Sequence, residues 1–259
     1  MRRLAIILLA LCTPAACAEP ALPLPSTLER ASAGVAALLE QFSEVKCTEY
    51  VTQAKLSKEG KPEYSEDSRY DYLVMIQASP DELLFNESRL EEQKPRHRKN
   101  VPLLLTNGFS TMFLIFHPYY MRGFDFQQVG ESVIGGRRVI EFAFRHIRGT
   151  RTPTLLLLRE RQYPLGLAGT AWVDAASGAL VKIRAGLDSD LSDVGLKSFT
   201  TEVEYAPIHL RGMKQQAWLP QVATIEVETV KQRWRNLHRF TNYKAFSVSV
   251  EETTAGVGK

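Results

Sequence analysis

The sequence has 259 residues, of which 44% are hydrophobic and 24% are charged, and its formal net charge is +3. A charge so close to zero argues against a general nucleic-acid binder, because such domains carry a large basic excess. The length is enough to bury a sizeable core, either as one large β-rich domain or as two smaller ones.

Residues 1–18 have the order of charged, apolar and small residues that is typical of a secretory signal peptide. Arg2 and Arg3 precede the apolar run 4–11, and Ala16-Cys17-Ala18 follows it. We therefore expect cleavage after Ala18 and export to the periplasm. An uncleaved membrane anchor and a lipoprotein anchored through Cys17 are the alternatives, but the run is shorter than the ~20 residues of a membrane span.

Cleavage at this point removes two arginines and two of the three cysteines. The formal charge of the mature chain falls to +1, and Cys47 is its single cysteine. No internal disulfide is expected, so the stability must come from the core.

Residues 19–25 are proline-rich and predict an extended leader. Ser26 to Glu29 then fits a capping box, and apolar residues recur at helical spacing, so we predict an amphipathic helix over 27–43. From there the period changes to two. Tyr50, Thr52, Ala54 and Leu56 alternate before the turn 59–62. After it the alternation continues with Tyr64, Tyr70, Tyr72, Val74 and Ile76, which predicts a long hairpin.

Further strands are predicted along the rest of the chain. The stretch 169–185, "GTAWVDAASGALVKIRA", is typical of strand, turn and strand, with Gly178 taking a positive φ. No helical pattern separates most neighbouring strands, so the sheet should be largely antiparallel. The predicted strands are 82–91, 124–130, 137–147, 153–160, 168–174, 179–186, 197–206, 218–230 and 233–250.

The exception is the very apolar segment Val101 to Met121, which contains no Asp, Glu, Lys or Arg. Prolines and glycine interrupt it, and its most apolar part, 112–116, covers little more than one helical turn. We expect a buried helix or hairpin against the sheet, with a membrane span as the alternative.

The sequence offers no motif from which to predict a catalytic residue, a metal or a cofactor. The five histidines lack metal-binding spacing. The acidic stretch 188–193 fails as the start of a calcium loop, because Asp193 stands at the glycine position and Phe199 at the glutamate position. Ser43 and Lys46 have the spacing of an acyl-transfer pair but lack its companion motifs. We therefore expect a protein that is not an enzyme, and a hydrolase with an unrecognised site stays an alternative.

Two basic stretches are candidates for contact with an anionic membrane surface. The first is 94–99, which we expect to be an exposed loop. The second is "KQRWRNLHRF", in which Lys231, Arg233, Arg235 and Arg239 should share one face of a strand while Trp234, His238 and Phe240 share the other. An ordinary half-buried strand explains the second pattern equally well.

Several strand phrases resemble those of the LolA/LppX-like outer-membrane lipoprotein-sorting superfamily and of uncharacterised bacterial envelope proteins placed near it. They are "GTAWVDAASGALVKI", "VEYAPI", "WLPQVATIEVET" and "HRFTNYKAFSV". The resemblance implies a mainly β (α+β) fold. It would be a single domain over 26–250, a curved antiparallel sheet or half-barrel with an N-terminal amphipathic helix and a central apolar helical insertion, followed by a flexible tail over 251–259.

The resemblance also implies a non-enzymatic periplasmic carrier or binder of lipid or lipidated protein, whose partners are acyl chains and not nucleic acid. Apolar contact alone would hold the chain, at ~0.8 kcal/mol per buried CH₂. An envelope structural or interaction module with a filled core is the alternative. The candidate cavity residues are Tyr72, Val74, Met112, Phe113, Phe116, Phe142, Phe144 and Trp172.

Overall fold

The computed structural model describes residues 25–41, 44–78, 83–91, 105–107, 112–158, 161–188, 191–211 and 216–246. The predicted signal peptide, leader, tail and basic loop 94–99 lie outside these residues. Helix α1 spans Ser26–Glu40, α2 spans Pro118–Met121, and 3₁₀ helices span Met112–Phe116 and Ser192–Val194. None of the helices in the described part of the chain combines the length and apolarity that a membrane span needs.

Thirteen strands make up most of the described chain. They are β1 (Glu44–Leu56), β2 (Pro62–Ala78), β3 (Leu83–Glu91), β4 (Leu105–Asn107), β5 (Phe124–Ile134), β6 (Arg137–His146), β7 (Leu155–Leu158), β8 (Arg161–Pro164), β9 (Leu167–Asp174), β10 (Leu180–Leu187), β11 (Leu196–Ile208), β12 (Ala217–Thr229) and β13 (Arg233–Phe246).

Ten of these strands form one antiparallel sheet in the order β3-β2-β1-β13-β12-β11-β10-β9-β6-β5. The order runs from one edge strand to another, so the sheet is open. All its strand pairs are antiparallel, as predicted. The first strand, β1, pairs with the last, β13, in the middle of the sheet. The short strands β4, β7 and β8 form a second sheet of three.

The main sheet is strongly curved. Arg137 at the start of β6 and Trp218 at the start of β12 lie four strands apart, yet the Arg137 guanidinium carbon is 5.2 Å from the centre of the Trp218 ring. Four strand spacings of ~4.8 Å amount to ~19 Å across a flat sheet, more than these two side chains span together. The strand ends therefore curl toward one another at this end of the sheet.

The connection from β3 to β5 must pass from one edge of the sheet to the other, because these are its two edge strands. The described parts of this connection include the 3₁₀ helix and α2. All five residues of Met112–Phe116 are buried, and they belong to the same core as α1 and the inner face of the sheet. The predicted buried insertion is thus confirmed for the 3₁₀ helix 112–116, and the short turn of α-helix after it buries Tyr120 and Met121.

The structure corrects several local predictions. Helix α1 begins at Ser26 after Pro25, which makes no side-chain cap hydrogen bond, so the predicted capping box does not form. In β1 the buried residues include Val45, Cys47 and Val51, whereas Tyr50 is 42% exposed, so the predicted phase of this strand is wrong. The strands β4 and β8 were not predicted from the sequence, since each has only three or four residues.

Candidate functional site

An apolar pocket of about 220 Å³ lies between α1 and the curled end of the main sheet. Helix α1 forms one wall. Its apolar residues recur at helical spacing, so they share one buried face, which consists of Leu28, Ala31, Val35 and Leu39. The small residues Gly34 and Ala37 lie beside this buried stripe and line the opening.

The opposite wall is the turn between β9 and β10 together with the start of each of β10 and β12. It contributes Ser177, Gly178, Ala179 and Leu180 from the turn and β10, and Gln216, Ala217 and Trp218 from β12 and the residue before it. Polar side chains in the lining belong to exposed residues such as Gln216 and Ser177, so the pocket is polar at its rim and apolar inside.

The turn is held in shape by Asp174. Its carboxylate Oδ1 accepts hydrogen bonds from the backbone N–H of Ser177 at 2.8 Å, from the Ser177 hydroxyl at 2.8 Å and from the N–H of Ala176 at 3.1 Å. Partial burial acts to raise the pKa of Asp174, but the bonds from Ser177 and Ala176 and the nearby Arg137 outweigh it and lower the pKa.

Gly178 allows α1 to lie directly on this turn. Its φ is +76°, the left-handed region that the sequence predicted for it. A Cβ atom built at this position would lie 2.7 Å from the Cβ of Arg30, so a larger residue would also push the helix away. Arg30 stabilises the contact between α1 and the turn by donating a 2.9 Å hydrogen bond to the carbonyl oxygen of Ala175.

Seven of the eight predicted cavity residues lie in the common core. Tyr72, Val74, Met112, Phe113, Phe116, Phe142 and Phe144 are each at most 5% exposed. Among them, Phe113 is the residue that lines the pocket, where its ring meets that of Tyr205 edge-on at 6.0 Å. Phe116 instead packs on Phe126, at 5.3 Å between ring centres.

Trp172 does not join this group. It lies between the buried residues Ala171 and Val173 on β9, so alternation places its side chain on the opposite face of the sheet. There the ammonium group of Lys182 lies 5.6 Å from its ring centre. Trp172 therefore lies apart from the other seven candidate residues.

A buried charged cluster lies on the inner face of β1, β3 and β13. Both oxygens of the Glu49 carboxylate accept from Arg89, at 2.7 and 3.3 Å, and the same carboxylate lies 2.9 Å from Nδ1 of His238. The Glu49 side chain is fully buried and that of Arg89 is 18% exposed. Arg89 also lies 3.4 Å from Glu87 and 4.5 Å above the ring of Tyr72.

The protonation states follow from this geometry. Burial acts to raise the pKa of Glu49, but Arg89 and the hydrogen bond with His238 outweigh burial and lower that pKa. Burial is also the largest influence on His238 and lowers its pKa, against the effect of Glu49. At neutral pH the cluster therefore holds an anionic Glu49, a cationic Arg89 and a neutral His238 whose Nδ1 donates to Glu49.

Cys47 lies next to this cluster and is not a reactive thiol. It is buried, and desolvation together with the charge of Glu49 raises its pKa to about 12. A thiol with such a pKa carries almost no thiolate at neutral pH. Among the described residues, no three His, Cys, Asp or Glu side chains gather into a group that could hold a metal ion.

The second basic stretch alternates as predicted, with Trp234, His238 and Phe240 buried. On the other face, Arg233 and Arg235 both pair with Glu226, at 3.1 and 2.7 Å. This pairing reduces the net positive charge that the second basic stretch presents to an anionic membrane surface.

No family model matches this sequence, and no curated protein matches it significantly. The chain is similar in structure to a putative outer membrane lipoprotein-sorting protein domain from Vibrio parahaemolyticus, with 10% identity, coverage of 86% of this chain and 94% of the other, and a TM-score of 0.48. It is similar to a DUF1329 family protein from Desulfovibrio piger, with 12% identity, the same coverage and a TM-score of 0.44.

A LolA superfamily protein from Nitrosomonas europaea is also similar, with 11% identity, coverage of 86% and 94%, and a TM-score of 0.40.

Proposed function

We propose that this chain is a non-enzymatic periplasmic protein that binds the acyl chain of a lipid or a lipidated protein between α1 and the curled end of its sheet. The observation that carries the proposal is the pocket itself, which is apolar inside, polar at its rim and lined by Phe113 from the buried 112–116 segment. Such a lining is typical of sites that bind apolar ligands and orient them through a few polar groups.

The volume of the pocket limits what it takes up. About 220 Å³ lies below the ~300 Å³ at which ordinary ligand pockets begin. If a methylene group has about the volume of one water molecule, ~30 Å³, the pocket holds about seven. At ~0.8 kcal/mol for each, they contribute ~6 kcal/mol before the cost of association, which corresponds to weak binding.

A series of fatty acids of increasing length tests this proposal. Affinity should rise with each methylene up to about eight carbons, because each added group enters the pocket. A plateau beyond that length shows that the space is fixed, and a continued rise shows that α1 or the 112–121 segment yields to a longer chain. Absence of binding at every length would overturn the carrier function.

A structural or interaction module with a filled core is the second candidate, and a specific observation favours it. The five residues Met112–Phe116 occupy the inner face of the sheet, where a lipid carrier would hold its ligand. Lipid mass spectrometry on protein purified from its native envelope separates the two candidates. A stoichiometric lipid supports the carrier, and a blank supports the module.

Export is part of the proposal and has its own test. N-terminal sequencing of the mature protein should begin at Glu19. An intact Met1 would contradict cleavage, and a diacylated Cys17 would show a lipoprotein instead.

A further inference from the structure

Two arginines border the rim of the apolar pocket. Arg137 lies over the ring of Trp218, which lines the pocket, and Arg30 lies beside the pocket residue Gly178, where an added Cβ atom would be 2.7 Å from the Cβ of Arg30. These arginines come from β6 and α1, so the fold brings them to the pocket from two sides.

The position of Arg137 follows from the curvature of the sheet. Its guanidinium reaches from the start of β6 past the β9–β10 turn to Trp218, and its side chain remains 50% exposed. It therefore lies beside the pocket residue Trp218, with its guanidinium over the indole ring and part of its side chain accessible from solvent.

Asp174 forms an ion pair with Arg137 but no hydrogen bond. Oδ2 of Asp174 is 3.8 Å from the Arg137 nitrogen, which is longer than a hydrogen bond, while Oδ1 of Asp174 is occupied by the turn. The adjacent Arg138 pairs with Glu131, at 3.3 Å, on the same hairpin. The N–H groups of Arg137 therefore keep their capacity to donate hydrogen bonds to a ligand.

Arg30 is held in place by three oxygens, none of which is charged. Its guanidinium donates to the carbonyl of Ala175 at 2.9 Å and to the hydroxyls of Thr27 and Ser26 at 3.1 and 3.5 Å. These contacts orient Arg30 and leave its positive charge in place at the side of the pocket.

We propose that the ligand of this pocket is an amphiphile with an anionic head, a carboxylate or a phosphate, which Arg137 binds at the rim with Arg30 supporting it electrostatically. The proposal rests on the carrier function and adds the charge of the ligand head to it. A guanidinium stacked on an aromatic ring is a well-ordered donor for either group, because its planar fork matches two oxygens at once.

The experiment compares ligands that share one chain and differ in their heads. Decanoate, decanol and decyltrimethylammonium each compete with the neutral fluorescent probe 1-N-phenylnaphthylamine, below their micelle concentrations. In the wild type, decanoate should bind at least fivefold more tightly than decyltrimethylammonium. The preference should shrink in 1 M salt, since the charges at the rim are exposed.

Substitutions then assign the preference to Arg137. Arg137→Gln should weaken the binding of decanoate about tenfold and change the binding of decanol less than twofold. A tenfold loss is the lower end of what one charge-assisted hydrogen bond contributes, as expected at a half-exposed site. Arg137→Lys should retain part of the preference. Arg138→Gln, which removes the neighbouring charge paired with Glu131, is the matched control and should leave all three ligands unchanged.

The outcomes distinguish this proposal from the one it rests on. If all three heads bind equally well to the wild type, the anionic head is overturned while the carrier function stands. If Arg137→Gln weakens decanoate and decanol alike, Arg137 acts only by packing on Trp218, which also overturns the head assignment. If the probe fails to bind to the wild type, or binds and is displaced by none of the three ligands, both proposals fall.

Discussion

Replacing Glu49 with Ala should be among the most destabilising single substitutions in this protein. The Glu49 carboxylate is fully buried and is shared by Arg89 and His238. After its removal, the Arg89 guanidinium still has Glu87 at 3.4 Å but no longer has Glu49. The Nδ1 donor of His238 also loses this acceptor. Removing one partner of a buried ion pair costs about 3 to 5 kcal/mol, a large part of the 5 to 15 kcal/mol that stabilises a typical domain.

Urea denaturation followed by tryptophan fluorescence measures this loss, provided that the slope with denaturant stays constant. The matched control is Glu63→Gln, which removes an exposed ion pair with Lys55 at 3.5 Å and should change the stability little. The double variant Glu49→Gln with Arg89→Met should be more stable than the sum of the two single losses predicts, because neither Glu49 nor Arg89 is then left as a buried charge without the other.

A loss below about 1 kcal/mol for Glu49→Ala would refute this reasoning, because that value is typical of an exposed pair. Additive effects in the double variant would refute it as well. Either result would mean that water reaches the cluster and that Arg89 does not depend on Glu49.

Three further predictions concern the pocket, the docking of α1 and the response to pH. Phe113→Ala should lower the unfolding free energy by only ~1 to 2 kcal/mol and weaken fatty-acid uptake, because its ring borders existing space; Phe116→Ala, in the filled core, should cost ~3 to 5 kcal/mol. Equal losses would place both rings in the same packed environment. Gly178→Ala should destabilise more than Gly60→Ala, since both have positive φ but only at Gly178 would a Cβ meet α1; equal effects in urea melts would show that the helix contact is dispensable. The lowered pKa of His238 means that the unfolded chain binds a proton more readily, so stability should fall as the pH drops below 6.5. His238→Gln should flatten that part of the pH profile, and an unchanged profile would exclude His238 as its cause.

The sequence predicts the strands of the main sheet well because their alternation is long and their turns are marked. The turn at Gly178 is an example, since glycine accepts the positive φ that a tight turn between two strands requires. The inner aromatic face of β13 was predicted for the same reason. In β1, however, Glu49 occupies an inner position, and a charged residue there reverses the apparent phase of the strand.

The candidate site was harder to predict, because its parts are close only in the folded chain. Phe113 was identified from its apolar segment, but Ala217, Ala179 and Gly34 carry no signal that would single them out. The buried partners Glu49 and His238 are 189 positions apart. Only the pairing of the first and last strands brings them into contact, and no local pattern reports that pairing.

The same pairing of β1 with β13 determines how the chain can complete its sheet. Read from β5 at one edge, the order of the main sheet is that of the chain itself until β13, after which it continues with β1, β2 and β3. A circular permutant that moves residues 26–91 behind β13 would therefore turn the sheet into a simple meander of sequence neighbours. The average sequence separation between contacting residues would be far smaller. The permutant should therefore fold faster than the natural chain, in which β1 pairs with a strand that follows it by almost 200 residues.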